Sequence, residues 1–258
     1  MKSLFLLTTS FLASSAGAVT GIGGGVIMKP AIDLFSLLAV DTSNFLCGLT
    51  VLCMSFVSIC KNREIKTEKA RIIPLIAGSV AGGISGKILF ELMISRMEEV
   101  TKTGAVQALV LAALTVFVLF YVLLEKHIKT LSVSNPFVCI ALGLTLGLMS
   151  SFLGIGGGPI NLLVFYYFFS SDIKTAAKTS LSVIFFSQLA GLLYLLISGN
   201  LPEFIWLDML AMVIGGIGGG FVGGYILKRI SDKYASVLFK ALLFIIIAIC
   251  VFNFIRLK

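Results

Sequence analysis

The sequence GIGGG occurs twice, at residues 21–25 and 154–158, and both copies lie inside long apolar runs. Four glycines in five residues disfavour a helix, since each costs about 1 kcal/mol relative to alanine in a helix interior. A helix interrupted there exposes unpaired N–H groups where its second half begins, and the helix dipole favours an anion at that point. The two segments therefore predict a pocket for a small anion. It would be lined by the eight glycines of the segments, Gly21, Gly23, Gly24, Gly25, Gly154, Gly156, Gly157 and Gly158.

Close helix packing without a ligand is the alternative interpretation of any glycine in an apolar helix. We expect that alternative for Gly82 and Gly220, and the anion pocket for the two GIGGG segments. A phosphate-binding P-loop is not expected, because no G-K-[ST] follows either copy.

Four polar side chains near the start of the span that follows each segment could complete such a pocket. The hydroxyl groups of Thr50, Thr179 and Ser180 can donate hydrogen bonds to an oxyanion, or bond back to their own helix. Lys178 could face the pocket as an anion ligand, or extend its amine to the lipid headgroups.

Two amide side chains are further candidates for the pocket. Asn161, three residues after Gly158, could cap the second half-helix or contact the anion. Gln188 lies in the middle of a span, where an amide more often joins helices than binds a substrate. Lys87 and Glu91 are four residues apart on one helix face and are expected to neutralise each other, with a proton-carrying Glu91 as the alternative.

The composition predicts an all-α polytopic membrane protein. The chain has 258 residues, of which 58% are apolar and 12% charged, and its mean hydropathy is +1.08. Soluble domains carry about 25% charged residues. Uncharged stretches at 3–28, 42–60, 103–124, 179–202 and 209–227 approach or exceed the length of about 20 residues that crosses a bilayer. About eight hydrophobic segments are expected, in the cytoplasmic membrane of a bacterium or archaeon.

Charge and cysteine content exclude other classes of protein. The formal net charge is +8, but the basic residues lie between hydrophobic spans, so anionic lipid rather than nucleic acid is the expected partner. The five cysteines form no C-x-x-C and are interpreted as packing residues. A single His127 leaves too few nitrogen ligands for a metal site, and neither a metal nor a cofactor is expected. The N-terminus resembles a signal peptide, but we expect it to be retained.

The chain contains an internal duplication. The two GIGGG copies are 133 residues apart, and residues 48–51 correspond loosely to 178–181. Three glycines at four-residue spacing also recur with an offset of 138, namely Gly78, Gly82 and Gly86 as Gly216, Gly220 and Gly224. This pattern predicts a first transmembrane repeat at 1–124, a polar linker at 125–133 and a second repeat at 134–258.

Each repeat begins with a glycine-broken segment, which is either re-entrant or a discontinuous crossing helix. If both segments cross fully, the repeats are parallel, with ten basic residues inside and eight outside when the basic loop 61–71 is inside. If both return to their own side, the repeats are inverted, and the counts become twelve and six. The positive-inside rule favours inversion.

The order of these motifs resembles the TauE/SafE sulfite-exporter family of membrane permeases. The resemblance rests on GIGGG followed by Pro30, on FLGIGGGP at 152–159 and on Thr179-Ser180-Leu181, and it covers nearly the whole chain. It implies transport of small, often sulfur-containing anions such as sulfite and sulfonates. The family commonly shows G-T-S where this chain has 48–50 and 178–180, which implies unequal half-sites.

The first functional hypothesis is a secondary transporter that moves its anion by alternating access between the two breaks. The coupling ion, proton or sodium, and homo-oligomerisation stay open. The alternative is a non-transport membrane protein that delivers a sulfur species to a partner, which would need a reactive thiol beside GIGGG. An intramembrane enzyme is disfavoured, because the sequence offers no second buried carboxylate, His pair or H-E-x-x-H.

Overall fold

The computed structural model describes residues 1–61, 69–96, 100–125 and 128–257. Helices dominate this part of the chain, which contains ten of them and no strand: α1 (Lys2–Thr20), α2 (Gly25–Leu34), α3 (Val40–Lys61), α4 (Lys69–Arg96), α5 (Val100–Leu124), α6 (Pro136–Leu153), α7 (Gly158–Phe169), α8 (Ile173–Ser198), α9 (Trp206–Arg229) and α10 (Asp232–Leu257). The interior of the predicted basic loop 61–71, and part of the predicted linker 125–133, lie outside the described residues.

Eight of the described helices are long and apolar enough to cross a membrane, all except α2 and α7. Large apolar side chains project outward from the bundle, among them Phe117 and Phe120 on α5 and Phe244 on α10. An exposed apolar surface of this kind is stable in lipid rather than in water. The expectation of an all-α polytopic membrane protein with about eight hydrophobic segments is confirmed.

The helices stop at both GIGGG sequences, which we call the first glycine segment (residues 21–25) and the second glycine segment (residues 154–158). Helix α1 ends in a left-handed Gly21 with φ 75°, and α6 ends in a left-handed Gly154 with φ 65°. This conformation is unstrained only for glycine. Pro159 lies in the first turn of α7, where its missing N–H costs no helical hydrogen bond.

Each glycine segment is the tip of a hairpin. Helix α2 returns beside α1, since the rings of Phe5 and Phe35 lie 5.1 Å apart between centroids. Helix α7 returns to the start of α6, where the Leu131 amide donates to the Tyr167 carbonyl at 2.7 Å. Both broken segments therefore lead back toward the end of the bundle at which they began.

The two hairpins open at opposite ends of the bundle. The α1 end holds the starts of α1, α3 and α9, where Ser3 donates to Asp208 at 2.7 Å and Thr42 to the Glu203 carbonyl at 2.9 Å. The α6 end holds the starts of α4, α6, α8 and α10. There Arg71 of α4 donates a hydrogen bond to Ser134, just before α6, and Lys174 of α8 forms an ion pair with Asp232 of α10. Inverted repeats are the arrangement that these contacts favour, and orientation in the membrane stays a prediction.

The two halves of the chain exchange their packing partners. Helix α4 packs along α6 of the other half, and α9 packs along α1. Glycines make both close approaches: Gly82 faces Leu144 on α6, and a Cβ on Gly219 would lie 2.5 Å from the Phe11 carbonyl oxygen of α1.

This packing corrects the predicted register of the repeat. Gly82 and Gly219 both face the first helix of the opposite half, whereas Gly83 and Gly220 face Ser187 of α8 and Met54 of α3. Equivalent glycines are therefore 137 residues apart and not 138, so Gly82 corresponds to Gly219 rather than Gly220. Successive glycines in GGIGGG allow several alignments, and only the neighbouring helix distinguishes them.

Candidate functional site

The two glycine segments meet inside the bundle. A Cβ on Gly25 would lie 2.6 Å from the Cα of Ile155, and one on Gly23 would lie 3.3 Å from the Ile155 carbonyl oxygen. All ten residues of the two segments are buried. At Gly25 the two backbones are so close that a Cβ would not fit without a shift of the backbone.

Three of the predicted site residues connect the segments through hydrogen bonds. Ser180 Oγ donates to the carbonyl oxygen of Gly21 at 2.6 Å, and Asn161 Nδ2 donates to Ser180 Oγ at 3.1 Å. The Oδ1 atom of Asn161 is buried without a hydrogen-bond partner. A Cβ on Gly157 would lie 2.6 Å from that atom, so Gly157 and Asn161 are in direct contact.

Two amide side chains at the second segment were missed by the sequence analysis. Asn44 on α3 and Gln107 on α5 both donate to the carbonyl oxygen of Phe152, at 3.4 and 2.6 Å. Asn44 also packs directly against Gly154. Each is an uncharged amide inside an apolar span, which is the signal that led to Gln188 and could have led to these residues.

Thr50 is not brought to either glycine segment. Its Oγ1 donates to the Leu46 carbonyl at 2.7 Å, and its methyl group faces Gly216 of α9. The contacts of Gly21 with Ala177 and of Gly154 with Asn44 place α3 and α8 in register at an offset of 133. The predicted alignment of 48–51 with 178–181 is therefore wrong by three residues, and the counterpart of Ser180 is Cys47.

The three other predicted residues on α8 lie at different distances from the segments. Lys178 is half-buried in the second turn, beside Ala177. Thr179 bonds back to the Thr175 carbonyl at 2.8 Å. Gln188 donates to the Ser150 carbonyl at 2.9 Å, one turn before the second segment, and thus joins α8 to α6. A contact of these residues with an anion stays a prediction.

A buried ion pair that the sequence analysis did not consider follows the first segment. Lys29 Nζ lies 3.6 Å from Asp33 Oδ2, and the two side chains are 4% and 13% exposed. Ser43 donates to the other carboxylate oxygen at 3.0 Å. Two charges one turn apart on a short apolar helix were the available signal.

A small cavity separates this pair from the second segment. It measures about 10 Å³ and is lined by Lys29, Pro30, Asp33, Gln107, Ala108, Leu111, Leu153, Ile155 and Asn253. That volume holds about one water molecule. A solute larger than one water molecule does not fit this cavity in the structure.

A second, larger cavity of about 540 Å³ opens at the α1 end. Its walls include Phe45, adjacent in sequence to Asn44, and Lys87, which is 4% exposed. Glu91 accepts a hydrogen bond from Tyr194 at 2.9 Å. Among the described residues no ion pair within 4 Å joins Lys87 to Glu91, so the expected neutralisation is not direct.

The described residues contain no group of three or more His, Cys, Asp or Glu side chains placed to hold a metal. The candidate site therefore consists of backbone amides, buried amide side chains and one lysine–aspartate pair. These groups can replace the water molecules around a small charged solute and form hydrogen bonds with it.

Glycine-broken hairpins that enter a helical bundle from opposite ends define a polytopic membrane protein of the kind that carries solutes. Residues 6–251 match the family model described as sulfite exporter TauE/SafE, so the chain belongs to that family of membrane transporters, and the resemblance drawn from the sequence is confirmed. The chain is 26% identical over 269 residues to "Probable membrane transporter protein YunE" of Bacillus subtilis (strain 168), across 95% of this chain and 96% of that protein. No solved structure matches it.

Proposed function

We propose that this membrane transporter is a secondary carrier for a small anion, sulfite or an organosulfur anion such as a sulfonate. One observation carries the proposal: the half-helices α2 and α7 both begin where the glycine segments meet. Both N-cap residues, Gly24 and Gly157, are glycines and so have no side chain to occupy the first backbone N–H groups. Each helix start presents backbone N–H groups and a partial positive charge of about +0.5, which together attract an anion.

The cavity at the α1 end supports movement by alternating access. It is wide enough for a small anion, and its wall at Phe45 adjoins Asn44, which packs against Gly154. The glycine segments close the path beyond that wall. Outward movement of one hairpin and then the other would expose the segments to each side in turn.

The remaining partners follow from the same proposal. The chain has no nucleotide-binding motif, so the energy for transport comes from ion and solute gradients, with a proton or sodium as the coupling ion. The exposed apolar residues of α5 and α10 contact lipid or a second copy of the chain. The relative named above is bacterial, which supports a location in a bacterial or archaeal cytoplasmic membrane.

A second candidate is a membrane protein that delivers a sulfur species to a partner without carrying it across. One observation supports this candidate: the thiol of Cys47 lies within electrostatic range of Lys29 and Asp33, close to the first glycine segment. Cys47 is fully buried, however, and a delivery thiol has to reach its partner. Cys47→Ser separates the candidates, since a carrier keeps its flux and a delivery protein loses its function.

The direct test is reconstitution of the purified protein in liposomes. We expect sulfite or a small sulfonate to enter faster than into protein-free vesicles, and Gly157→Leu to abolish that flux while still inserting in the membrane. Chloride and phosphate serve as comparison anions. Absence of flux for every small sulfur anion, together with absence of binding, would disprove the proposal.

A further inference from the structure

The lysine–aspartate pair on α2 has features that packing alone does not explain. Lys29 Nζ is buried without a hydrogen-bond partner, and its nearest charge is the Asp33 carboxylate at 3.6 Å. A buried charge is costly unless it is closely paired and hydrogen-bonded. Replacing such a pair by apolar residues is often neutral or stabilising, so a contribution to stability does not account for the pair.

The surroundings of the pair leave more polar atoms unpaired. The Oε1 atom of Gln107 and the Oδ1 atom of Asn253 have no hydrogen-bond partner, and both residues are 2% exposed and line the small cavity. Asn253 is fixed through its Nδ2, which donates to the Pro30 carbonyl at 2.8 Å. Leu153 and Ile155 form the opposite wall, so the cavity joins the pair to the second glycine segment.

Charge decides what the pair does when an anion arrives. Lys29 is the one cation, and Asp33 the one carboxylate, among the described residues that line this cavity. While Asp33 is ionised it offsets the charge of Lys29, so an anion at the glycine segments gains little from the amine, and two negative charges around one amine repel each other. Protonation of Asp33 removes the competing charge and leaves Lys29 available.

Resting on the proposed function, we infer that this transporter couples each anion to one proton through Lys29 and Asp33. Asp33 takes up a proton as the anion pairs with Lys29, and both move through the same conformational change. On the other side the anion leaves, Asp33 releases its proton, and the carboxylate pairs with Lys29 again. No covalent bond other than the O–H bond at Asp33 forms or breaks.

Other titratable groups near the pair come from the helices packed around α2. Cys47 on α3, Lys87 on α4 and Cys250 on α10 lie within electrostatic range of Lys29 or Asp33. Arg256 on α10 donates to the Leu34 carbonyl at the end of α2. The residues of α5 and α6 that line the cavity are uncharged. None of these neighbours is a second carboxylate.

The pair belongs to one half of the chain only. At the offset of 133 residues, Lys29 corresponds to Leu162 and Asp33 to Tyr166, neither of which is charged at neutral pH. Because one such pair lies beside the small cavity, each anion is accompanied by one proton. Transport of a monovalent sulfonate is then electroneutral, and a divalent anion carries net charge.

The test uses the full-length protein in liposomes that enclose a pH-sensitive dye. Methanesulfonate is the probe, because a sulfonate keeps its single charge as the pH changes. We expect its entry to acidify the lumen and to accelerate when the outside is acidified. Asp33→Asn should still exchange labelled methanesulfonate across the membrane, but without acidification and without dependence on external pH. Lys29→Gln should lower uptake about tenfold or more, since a charge-assisted contact is lost.

The pair of Lys174 with the exposed Asp232 supplies the control, and Asp232→Asn should keep proton coupling intact. If Lys29→Gln does not fold, the isosteric Asp33→Asn decides the question alone. Methanesulfonate uptake without acidification in the wild type, a sodium requirement in its place, or an Asp33→Asn variant that still acidifies would each overturn the inference and leave the carrier intact. Absence of any sulfur-anion flux in the wild type would instead remove the carrier itself.

Discussion

Ser180 on α8 holds the carbonyl oxygen of Gly21 at the tip of the first hairpin, with 2.6 Å between Oγ and the oxygen. The hydroxyl also accepts a hydrogen bond from Asn161, which belongs to the second hairpin. One side chain therefore fixes both glycine segments relative to each other. Any movement that separates the segments has to break at least one of these two bonds.

Removal of that hydroxyl tests its role directly. Ser180→Ala leaves the Gly21 carbonyl and the Asn161 amide without their partner, which costs about 1–3 kcal/mol for a buried polar group. We expect a lower midpoint of thermal unfolding in detergent and an altered transport rate. Ser85→Ala is the control, because Ser85 is exposed and bonds only back to Ala81 on its own helix. Equal stability of the two variants would contradict the assignment.

Alanine substitutions at two glycines can separate the effect of a side chain pressing on its neighbours from the effect of a strained backbone. Gly157 and Gly199 both have left-handed backbones, with φ 91° and 72°, so alanine at either position costs about 1–2 kcal/mol. A Cβ at position 157 would also press on Asn161, whereas a Cβ at 199 meets nothing within 4 Å. We expect Gly157→Ala to lose anion flux in liposomes and Gly199→Ala to retain it. Similar flux in both would show that crowding is unimportant there.

The close approach of α9 to α1 predicts a contrast between two neighbouring glycines. A Cβ on Gly219 would lie 2.5 Å from the Phe11 carbonyl oxygen, whereas one on Gly218 would meet only the Phe11 ring at 3.2 Å. Overpacking against backbone costs about 1–3 kcal/mol. Gly219→Ala should therefore unfold at a lower temperature in detergent, and Gly218→Ala at the wild-type temperature or above. The reverse order would mean that α1 and α9 pack in a different register.

Cysteine labelling tests how the bundle is oriented. Asn200 lines the cavity at the α1 end, and the exposed Cys60 lies near the end of α3 at the opposite face. With the basic loop 61–71 inside, an impermeant maleimide added to intact cells should label Asn200→Cys but not Cys60. Permeabilisation should add Cys60. Labelling of Cys60 alone in intact cells would show that the opposite end of the bundle faces outward.

Acid should weaken the start of α8. Burial acts to raise the pKa of Asp172, but hydrogen bonds from Thr175 and neighbouring backbone amides outweigh it and hold the pKa below its ordinary value. A carboxyl with a lowered pKa stabilises the fold above its unfolded pKa, and that contribution disappears as the pH falls through the folded value. Asp172→Ala should cost about 1 kcal/mol at neutral pH as a lost helix cap. Asp172→Asn should keep the cap and flatten the acid dependence of thermal unfolding.

The sequence predicted the features that composition and repetition encode. Uncharged runs of span length identified the membrane helices, and the doubled GIGGG located both interruptions, because four glycines in five residues are incompatible with a stable helix. The structure also places the hydroxyl of Ser180 and the amide of Asn161 beside the segments. A role for any of these residues in binding an anion stays a prediction.

Alignment within the repeat needed three-dimensional information. A shift of one residue rotates a helical position by about 100°, which moves Gly219 from α1 toward the side of α3 that Gly220 faces. Glycine spacing alone fits both alignments. Lys29 and Asp33 were overlooked for a different reason. Charges that follow an apolar run in sequence are usually at the membrane surface, but α2 begins inside the bundle and packs against α3 and α10, which buries them.

The pairing of α1 with α9 has a consequence for how the chain is made. Ser3 and Asp208, which close the start of that contact, are 205 residues apart in sequence. At about 5–20 residues per second, the ribosome needs roughly 10–40 s to deliver the partner. Until then the small-residue face of α1 has to wait in lipid or against the insertion machinery, so biogenesis is most vulnerable before the last quarter of the polypeptide emerges.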